Sequence, residues 1–171
     1  MPERSYTIRP ARPDDAEPVT AMWAEMAAQH AAYDEQWWCW RDGAAGTWRD
    51  FFVESIADAD SIVLVASDAA GGAVGYLLGR TRPAPPTMAV RRRGEVLDMF
   101  VRPAHRGRGV GSLLMAAAIE TMKSRGAGYV VLSVACGNEE ASGFYEKLGL
   151  RPVARKMYKR LWPAGDEQAE G

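Results

Sequence analysis

An α/β layered fold is predicted for this chain of 171 residues, and two observations predict it. Hydrophobic residues make up 47% and charged residues 25% of the sequence, as in one soluble domain with a buried core. Segments of strand and helix periodicity follow in the order β-α-α-β-β-β-α-β-α-β. That order includes a strand-helix-strand crossover, which is typical of layered α/β sheets.

The first half of the chain predicts a strand, two helices and a hairpin. Val19, Met22 and Met26 recur at helical spacing and predict a first helix over 14–32, with Asp14 as its N-cap. The other elements follow from β-branched runs, capping patterns and turn residues. They are a strand over 6–9, a helix over 47–56, and a hairpin of strands over 62–66 and 73–80.

The second half begins with a loop over 82–93, predicted from three prolines and three consecutive arginines. The elements that follow are a strand over 95–101, a helix over 113–123, a strand over 129–134, a helix over 139–148 and a final strand over 153–158. We expect a single domain over 1–162 and a polar, disordered tail over 163–171.

Charge and cysteine content exclude several classes of protein. The formal net charge is −1, so we expect no nonspecific binding to nucleic acid or to an anionic membrane. No apolar run is long enough to span a membrane, and we expect no secretory leader. The two cysteines form neither a disulfide framework nor a C-x-x-C pair. We therefore expect a cytoplasmic protein without a metal site.

The charges are distributed unevenly along the chain. Residues 14–60 contain eleven acids and two bases, whereas residues 80–125 contain ten bases and three acids. Solvated surfaces are the simpler explanation of such a pattern. The functional alternative is an enzyme with two substrates, a polyanion on the basic segment and a cation near the acidic one.

The segment over 102–112, here called the glycine loop, connects a predicted strand to a predicted helix. Three glycines at alternate positions let the backbone approach a ligand closely. The unpaired N–H groups at the start of the following helix favour an anion, and Arg106 and Arg108 add positive charge. The glycine loop therefore predicts a pyrophosphate site.

Two familiar phosphate motifs do not fit the glycine loop. The dinucleotide motif needs G-x-G-x-x-G and an acid about twenty residues later, and both are missing. A nucleoside-triphosphate loop needs Gly-Lys followed by Ser or Thr, which is also absent.

Two runs of sequence carry a family resemblance. Arg106-Gly107-Arg108-Gly109-Val110-Gly111 matches the pattern Gln or Arg, two residues, Gly, one residue, Gly or Ala. The run from Asn138 to Leu150 matches an Asn…Ala…Phe-Tyr…Leu-Gly-Phe segment, with Leu150 in place of Phe. Over about residues 6–160 the chain thus resembles the GNAT superfamily of acetyl-CoA-dependent N-acetyltransferases. The resemblance implies a mixed, mostly antiparallel sheet of six to seven strands, about four helices, and a splayed parallel pair at the cofactor site.

The resemblance also implies a site for acetyl-CoA. The backbone of Met99 and Val101 would bond the acetyl-pantetheine arm, and the N–H groups of the glycine loop would bond the pyrophosphate. Asn138 would contact the cofactor through its side chain, although it equally fits a helix N-cap. The implied cofactor-binding residues are Met99, Phe100, Val101, Arg106, Gly107, Arg108, Gly109, Val110, Gly111, Ser112, Asn138 and Tyr145.

Two implied catalytic residues are Tyr145 and Glu95. Tyr145 matches the position whose phenol protonates the departing thiolate, and a pKa of about 10 suits that role. Glu95 lies where histone-acetylating members place a general base, which is needed because an ammonium has no lone pair. Asp98 and a chain of water molecules remain alternatives to Glu95. The period of two places Glu95 on one face of its strand and Asp98 on the other.

An aromatic segment falls where this superfamily forms the wall of the acceptor site. Its residues are Trp37, Trp38, Trp40 and Trp48, with Asp34, Glu35 and Asp42 nearby. Such a cluster would hold a cationic amine by charge and cation–π contact. Covering the sheet or a dimer surface is an equal alternative, and a homodimer stays open.

The implied function is transfer of an acetyl group from acetyl-CoA to a primary amine by direct attack. The acceptor stays open among small amines, polyamines, amino sugars and protein or peptide amines, as does the use of other acyl groups. The alternative is a non-catalytic acyl-CoA sensor on the same fold. Binding of nucleic acid through Arg91, Arg92 and Arg93 is disfavoured, because no aromatic platform or basic helix accompanies them.

Overall fold

The computed structural model describes residues 6–161, which form four helices and a five-stranded sheet. The helices are α1 (Ala16–Tyr33), α2 (Ala44–Ala57), α3 (Val110–Ser124) and α4 (Glu139–Lys147). The strands are β1 (Thr7–Pro10), β2 (Ser61–Ser67), β3 (Ala73–Pro83), β4 (Arg92–Val101) and β5 (Ala127–Val131). Short 3-10 turns precede α1 at Pro13–Asp15 and follow β4 at Pro103–His105.

The sheet has the order β1-β2-β3-β4-β5, and its first three ladders are antiparallel. The ladder between β4 and β5 is parallel, with α3 as the crossover between these strands. These features confirm the α/β fold, the mostly antiparallel sheet and the expectation of about four helices. The described residues form five strands, fewer than the six to seven expected.

The predicted final strand over 153–158 is wrong, because this segment has no regular secondary structure. Val153 and Met157 leave 75% and 92% of their surface exposed, so the apolar residues of this segment cover no core. A strand needs ladder partners for its backbone groups, which alternating side chains alone do not supply. The tail expected over 163–171 lies outside the described residues.

Several boundaries differ from the predicted ones. The predicted loop over 82–93 is shorter, because β3 extends to Pro83 and β4 begins at Arg92. Helix α3 begins at Val110, three residues before the predicted start, so the end of the glycine loop is already helical.

Asp15 holds the 3-10 turn that precedes α1, and Asp14 lies inside this turn, so the prediction that Asp14 is the N-cap is wrong. Both carboxylate oxygens of Asp15 accept hydrogen bonds of 2.7 Å from the Arg9 guanidinium. The backbone N–H of Arg12 donates a third hydrogen bond of 2.7 Å to Asp15 Oδ2. The bond from Arg9 is the largest influence on this carboxyl and lowers the pKa of Asp15, against the opposing effect of burial.

The described chain divides into two compact units. The first unit comprises the described residues up to 26 together with 42–133, and it contains the whole sheet, α2 and α3. Its core includes the fully buried side chains of Tyr76, Leu77 and Leu114. The second unit comprises 27–41 and the described residues from 134 onward, and it contains α4. Over residues 6–161, no helix combines the length and apolar character that a membrane span requires.

Candidate active site

The glycine loop joins β4 to α3 in the first unit. Gly107 and Gly109 have φ angles of 68° and 80°, in the left-handed region that favours glycine. Within the described part of the chain, nothing beyond the adjacent residues lies within 4 Å of a Cβ position at either glycine, so the space beside the backbone is open. Gly109 is the N-cap of α3, and its carbonyl accepts the first helical hydrogen bond from Leu113 N at 3.0 Å.

The first turn of α3 presents the backbone donors that the pyrophosphate site requires. The N–H groups of Val110, Gly111 and Ser112 precede the first intrahelical hydrogen bond, so they have no acceptor within the helix. Together with the positive end of the helix dipole they form a favourable environment for an anion. These residues therefore fit the pyrophosphate of acetyl-CoA.

Arg106 and Arg108, the two arginines beside Gly107, differ in their surroundings. Arg106 Nε donates a hydrogen bond of 3.0 Å to the carbonyl of Val101, and its guanidinium carbon lies 5.4 Å from the centre of the Phe100 ring. Arg106 thus ties the glycine loop to the end of β4. Arg108 is exposed and is the more accessible cation of the two.

Strand β4 has an open edge beside the glycine loop. Its parallel ladder with β5 ends at the pair Glu95 and Val131, whereas β4 itself continues to Val101. The N–H of Arg102 donates to Val74, on the side of β3, so the backbone groups of Met99 and Val101 face the opposite side. This confirms the splayed parallel pair, and it leaves an edge that an extended ligand fits.

A β-bulge in β4 changes the predicted placement of its two acids. Asp98 pairs with Leu78 and Glu95 pairs with Arg80, so three steps along β4 match two steps along β3. Residues two apart on β3 share a face, and so do their partners. The prediction that Glu95 and Asp98 lie on opposite faces is therefore wrong, because the extra residue restores the same side.

The two acids have different partners on that shared face. Arg80 Nε donates to Glu95 Oε2 at 2.9 Å, and Arg82 lies 3.9 Å from the same oxygen. Asp98 accepts a hydrogen bond of 3.0 Å from the indole Nε1 of Trp48. Both carboxylates are thus oriented by residues that the sequence did not connect with them.

The aromatic core beside Asp98 explains the position of Trp48. Trp48 is 8% exposed and stacks between Trp23 and Phe52, with ring centres 5.5 Å away in each case. Tyr76 is fully buried next to it, and burial, with the Asp98 charge as a smaller cause, raises the pKa of its phenol well above the usual value. The prediction that Trp48 belongs to an acceptor wall is wrong, because its ring fills the core of the first unit.

The other three tryptophans of that prediction are grouped in the second unit. The ring centre of Trp38 lies 6.2 Å from that of Trp37 and 5.7 Å from that of Trp40. Lys156 Nζ lies 5.8 Å from the centre of the Trp37 ring, so one face of this cluster already receives a cation. Trp37 and Trp40 remain 41% and 43% exposed.

The second unit also brings together Asn138 and Tyr145 on one helix. Asn138 is the N-cap of α4, and its Oδ1 accepts a hydrogen bond of 3.0 Å from Ala141 N. The prediction that Asn138 is a helix N-cap is therefore confirmed, and this cap uses the oxygen of its amide. Tyr145 follows after two helical turns, which places both residues on one side of α4, and its ring contacts Phe144.

In the described part of the chain, no group of His, Cys, Asp and Glu side chains has the arrangement of a metal site. Strand β4 and the glycine loop together present a helix N-terminus, an open strand edge and two oriented carboxylates.

Two curated relatives match parts of the chain. N-alpha-acetyltransferase 30 of Schizosaccharomyces pombe is 37% identical over 70 residues, which is 41% of this chain and 43% of the relative. Streptothricin acetyltransferase of Streptomyces lavendulae is 36% identical over 92 residues, or 54% of this chain and 46% of the relative. The chain thus spans a little under half the length of these relatives.

Solved structures resemble nearly the whole chain. A mutant of the BH1408 protein from Bacillus halodurans has a TM-score of 0.79 and 26% identity, covering 91% of this chain and 99% of its own. Aminoglycoside N-acetyltransferase AAC(6')-Iy in complex with CoA has a TM-score of 0.72 over 94% of this chain and 97% of its own. At 17% identity, the second likeness shows the fold alone.

The family comparison covers the site described above. The family model described as "Acetyltransferase (GNAT) family" matches residues 23–150, which include β4, the glycine loop and α4. That match spans most of the chain, and this protein belongs to the GNAT acetyltransferase family.

Proposed function

We propose that this protein is an N-acetyltransferase that moves an acetyl group from acetyl-CoA to a primary amine. The observation that carries the proposal is the junction of β4 and α3, where an anion site at a helix N-terminus adjoins an open strand edge. A helix N-terminus for a pyrophosphate and a strand edge for an extended arm suit the two halves of acetyl-CoA. Membership of the family supports the same activity.

Each part of the site has a proposed task in cofactor binding. The N–H groups from Gly107 to Ser112 bind the pyrophosphate, and Arg108 adds charge. The backbone of Met99 and Val101 bonds the pantetheine arm along the edge that β5 leaves open. Phe100 and Arg106 hold the end of β4 in place, and Asn138 offers its amide N–H to the cofactor. Acetyl-CoA itself supplies the acetyl thioester that the amine attacks.

Two proton transfers are proposed. Glu95 takes a proton from the acceptor ammonium, directly or through water, which frees the nitrogen lone pair for attack. Asp98 is the alternative base, because it shares the face of Glu95. The Tyr145 phenol gives its proton to the sulfur that leaves.

The acceptor is proposed only as a primary amine. The two relatives already differ in their acceptors by name, since one is an N-alpha-acetyltransferase and the other a streptothricin acetyltransferase. The cluster of Trp37, Trp38 and Trp40 is a proposed wall for the acceptor, and the contact of Lys156 with the Trp37 ring supports its use for a cation. A cytoplasmic location is proposed as well, because both cysteines are free and exposed.

A panel of amines assayed for release of free CoA tests the activity, with acetyl-CoA as donor. Acetyl-CoA, unlike NAD, is expected to raise the melting temperature, because a ligand at a hundredfold excess over Kd stabilises the native state by about 2.7 kcal/mol. Binding without release of CoA for any amine would favour a sensor. No thermal shift with acetyl-CoA would refute both functions.

A further inference from the structure

A group of three arginines lies on the face of the sheet that carries Glu95 and Asp98. This group, here called the arginine strip, consists of Arg80, Arg82 and Arg93. Arg82 is paired with Arg93 across the ladder between β3 and β4, and Arg80 is paired with Glu95. Directly paired residues of an antiparallel ladder point to one face. The strip therefore continues the face that carries the two acids.

The arginine strip lacks the negative charge needed to balance it. The carboxylate oxygen Oε2 of Glu95 forms an ion pair with Arg80 Nε at 2.9 Å. Its distance to Arg82 Nη1 is longer, at 3.9 Å. Among the described residues, no carboxylate forms an ion pair with Arg93, and its buried Nε has no hydrogen-bond acceptor. Like charges that face each other across a ladder destabilise a sheet, and a buried donor without a partner does so too. An anion between Arg82 and Arg93 would relieve both.

The arginine strip is too far from the glycine loop to serve the same phosphate groups. Eight positions of β4 separate Arg93 from Val101, which is about 26 Å at 3.3 Å per residue. The pyrophosphate site follows Val101, at the far end of this strand. An anion on the arginine strip must therefore belong to a different ligand.

We infer that the acceptor carries an anionic group, a carboxylate or a phosphate, in addition to its amine. This inference rests on the proposed function, because it places the amine beside the proposed bases. Along the face, the two acids come first from the side of the glycine loop, and Arg82 and Arg93 follow. Glu95 and Arg93 are two positions apart, or about 7 Å. An amine that is bound at the acids thus has its anionic group within reach of the arginines.

Inorganic phosphate is the simplest probe of the strip. The protein is first saturated with CoA, which fills the pyrophosphate site, and is then titrated with phosphate against chloride at equal ionic strength. We expect a saturable rise in melting temperature with phosphate and a Kd at least tenfold weaker in Arg82→Gln. Arg82 is half exposed, so this variant is expected to fold. Arg155→Gln is the control, since Arg155 is an exposed arginine of the second unit.

Two outcomes overturn the inference. Phosphate that stabilises no more than chloride leaves the strip without an anion site. If phosphate raises the melting temperature of Arg82→Gln as much as that of wild type, phosphate binds outside the arginine strip. The two proposals can also fail separately. If phosphate binding depends on Arg82 but acetyl-CoA does not change the melting temperature, the proposed function is refuted and the arginine strip remains an anion site.

Matched acceptors test the chemical class. The pairs are phosphoethanolamine with ethanolamine, and β-alanine with its amide, which differ mainly in the anionic group. For the pair that turns over, we expect kcat/KM at least tenfold higher for the anionic member, and loss of this preference in Arg82→Gln. A preference for the neutral member in wild type would overturn the inference. Phosphate preferred over carboxylate, or the reverse, identifies the anion.

Discussion

Glu95 and Asp98 project from one face of β4, although the period of two would separate them. A bulge adds one residue to β4 relative to β3. As a result, Glu95 pairs with Arg80 and Asp98 pairs with Leu78. Bulges re-aim side chains near functional sites, and this one gives the proposed base a second carboxylate as neighbour. Both acids lie on the face where the base is proposed to act, so experiments on the two residues can decide which of them is the base.

Glu95 is the proposed base for the acceptor ammonium. Glu95→Gln is expected to lower kcat by about 10²-fold, since it removes the proton acceptor and keeps the hydrogen-bonding shape. Raising the pH is expected to restore part of the lost rate, because more of the amine is then already neutral. The measurement is kcat against pH for the best acceptor of the panel.

Asp98→Asn is the matched variant for this experiment. It is expected to change kcat less than Glu95→Gln does, while the Trp48 indole keeps an oxygen to donate to. The reverse ranking would transfer the role of base to Asp98. Equal and small effects in both variants would favour a chain of water molecules.

Gly109→Asp is expected to abolish the thermal shift by acetyl-CoA. It puts a side chain and a negative charge at the N-terminus of α3, where the pyrophosphate is proposed to bind. Gly43→Asp is a closely matched control, because Gly43 is the N-cap of α2 with φ 74° and ψ 5°, against 80° and −3° at Gly109. Both variants carry the same backbone strain. An unaltered acetyl-CoA shift in Gly109→Asp would remove the glycine loop from the proposed site.

Asp15→Asn is expected to lower the free energy of unfolding by about 1.5–3 kcal/mol at pH 7, the usual range for hydrogen bonds to a charged group. The folded-state pKa of Asp15 is lowered, so its stabilisation is complete above the unfolded pKa of about 3.9 and is lost as the pH falls through the folded value. Denaturant unfolding at pH 7 and at acidic pH measures this. Asp14→Asn, at the exposed neighbour, is the control. A difference between wild type and Asp15→Asn that persists in strong acid would contradict the assignment.

The parts of the fold that depend on local sequence were predictable. The glycines of the glycine loop and the N-cap Asn138 act within a few residues, so their pattern carries the information. The splay of β4 from β5 followed from the family resemblance and not from any residue pattern. The local geometry of these two segments therefore followed from their own residues.

The parts that depend on distant contacts were not predictable. The bulge in β4 exists only relative to β3, and no residue of β4 alone marks it. Trp48 lies in the predicted helix over 47–56, but only its stacking on Trp23, a residue of another helix, shows that it is core. The arginine strip was hidden for the same reason, since a predicted loop contained the ends of both strands.

Tyr145→Phe distinguishes the enzyme from the sensor most directly. If the phenol protonates the departing thiolate, kcat is expected to fall by about 10²-fold to 10⁴-fold, while the thermal shift by acetyl-CoA persists because the ring is retained. Tyr129→Phe on β5 removes a phenol of the first unit and is expected to leave kcat unchanged. Undiminished kcat in Tyr145→Phe would assign the proton to water or another group. Loss of both kcat and the thermal shift would make Tyr145 a structural residue of α4, whose ring supports Phe144 rather than the reaction.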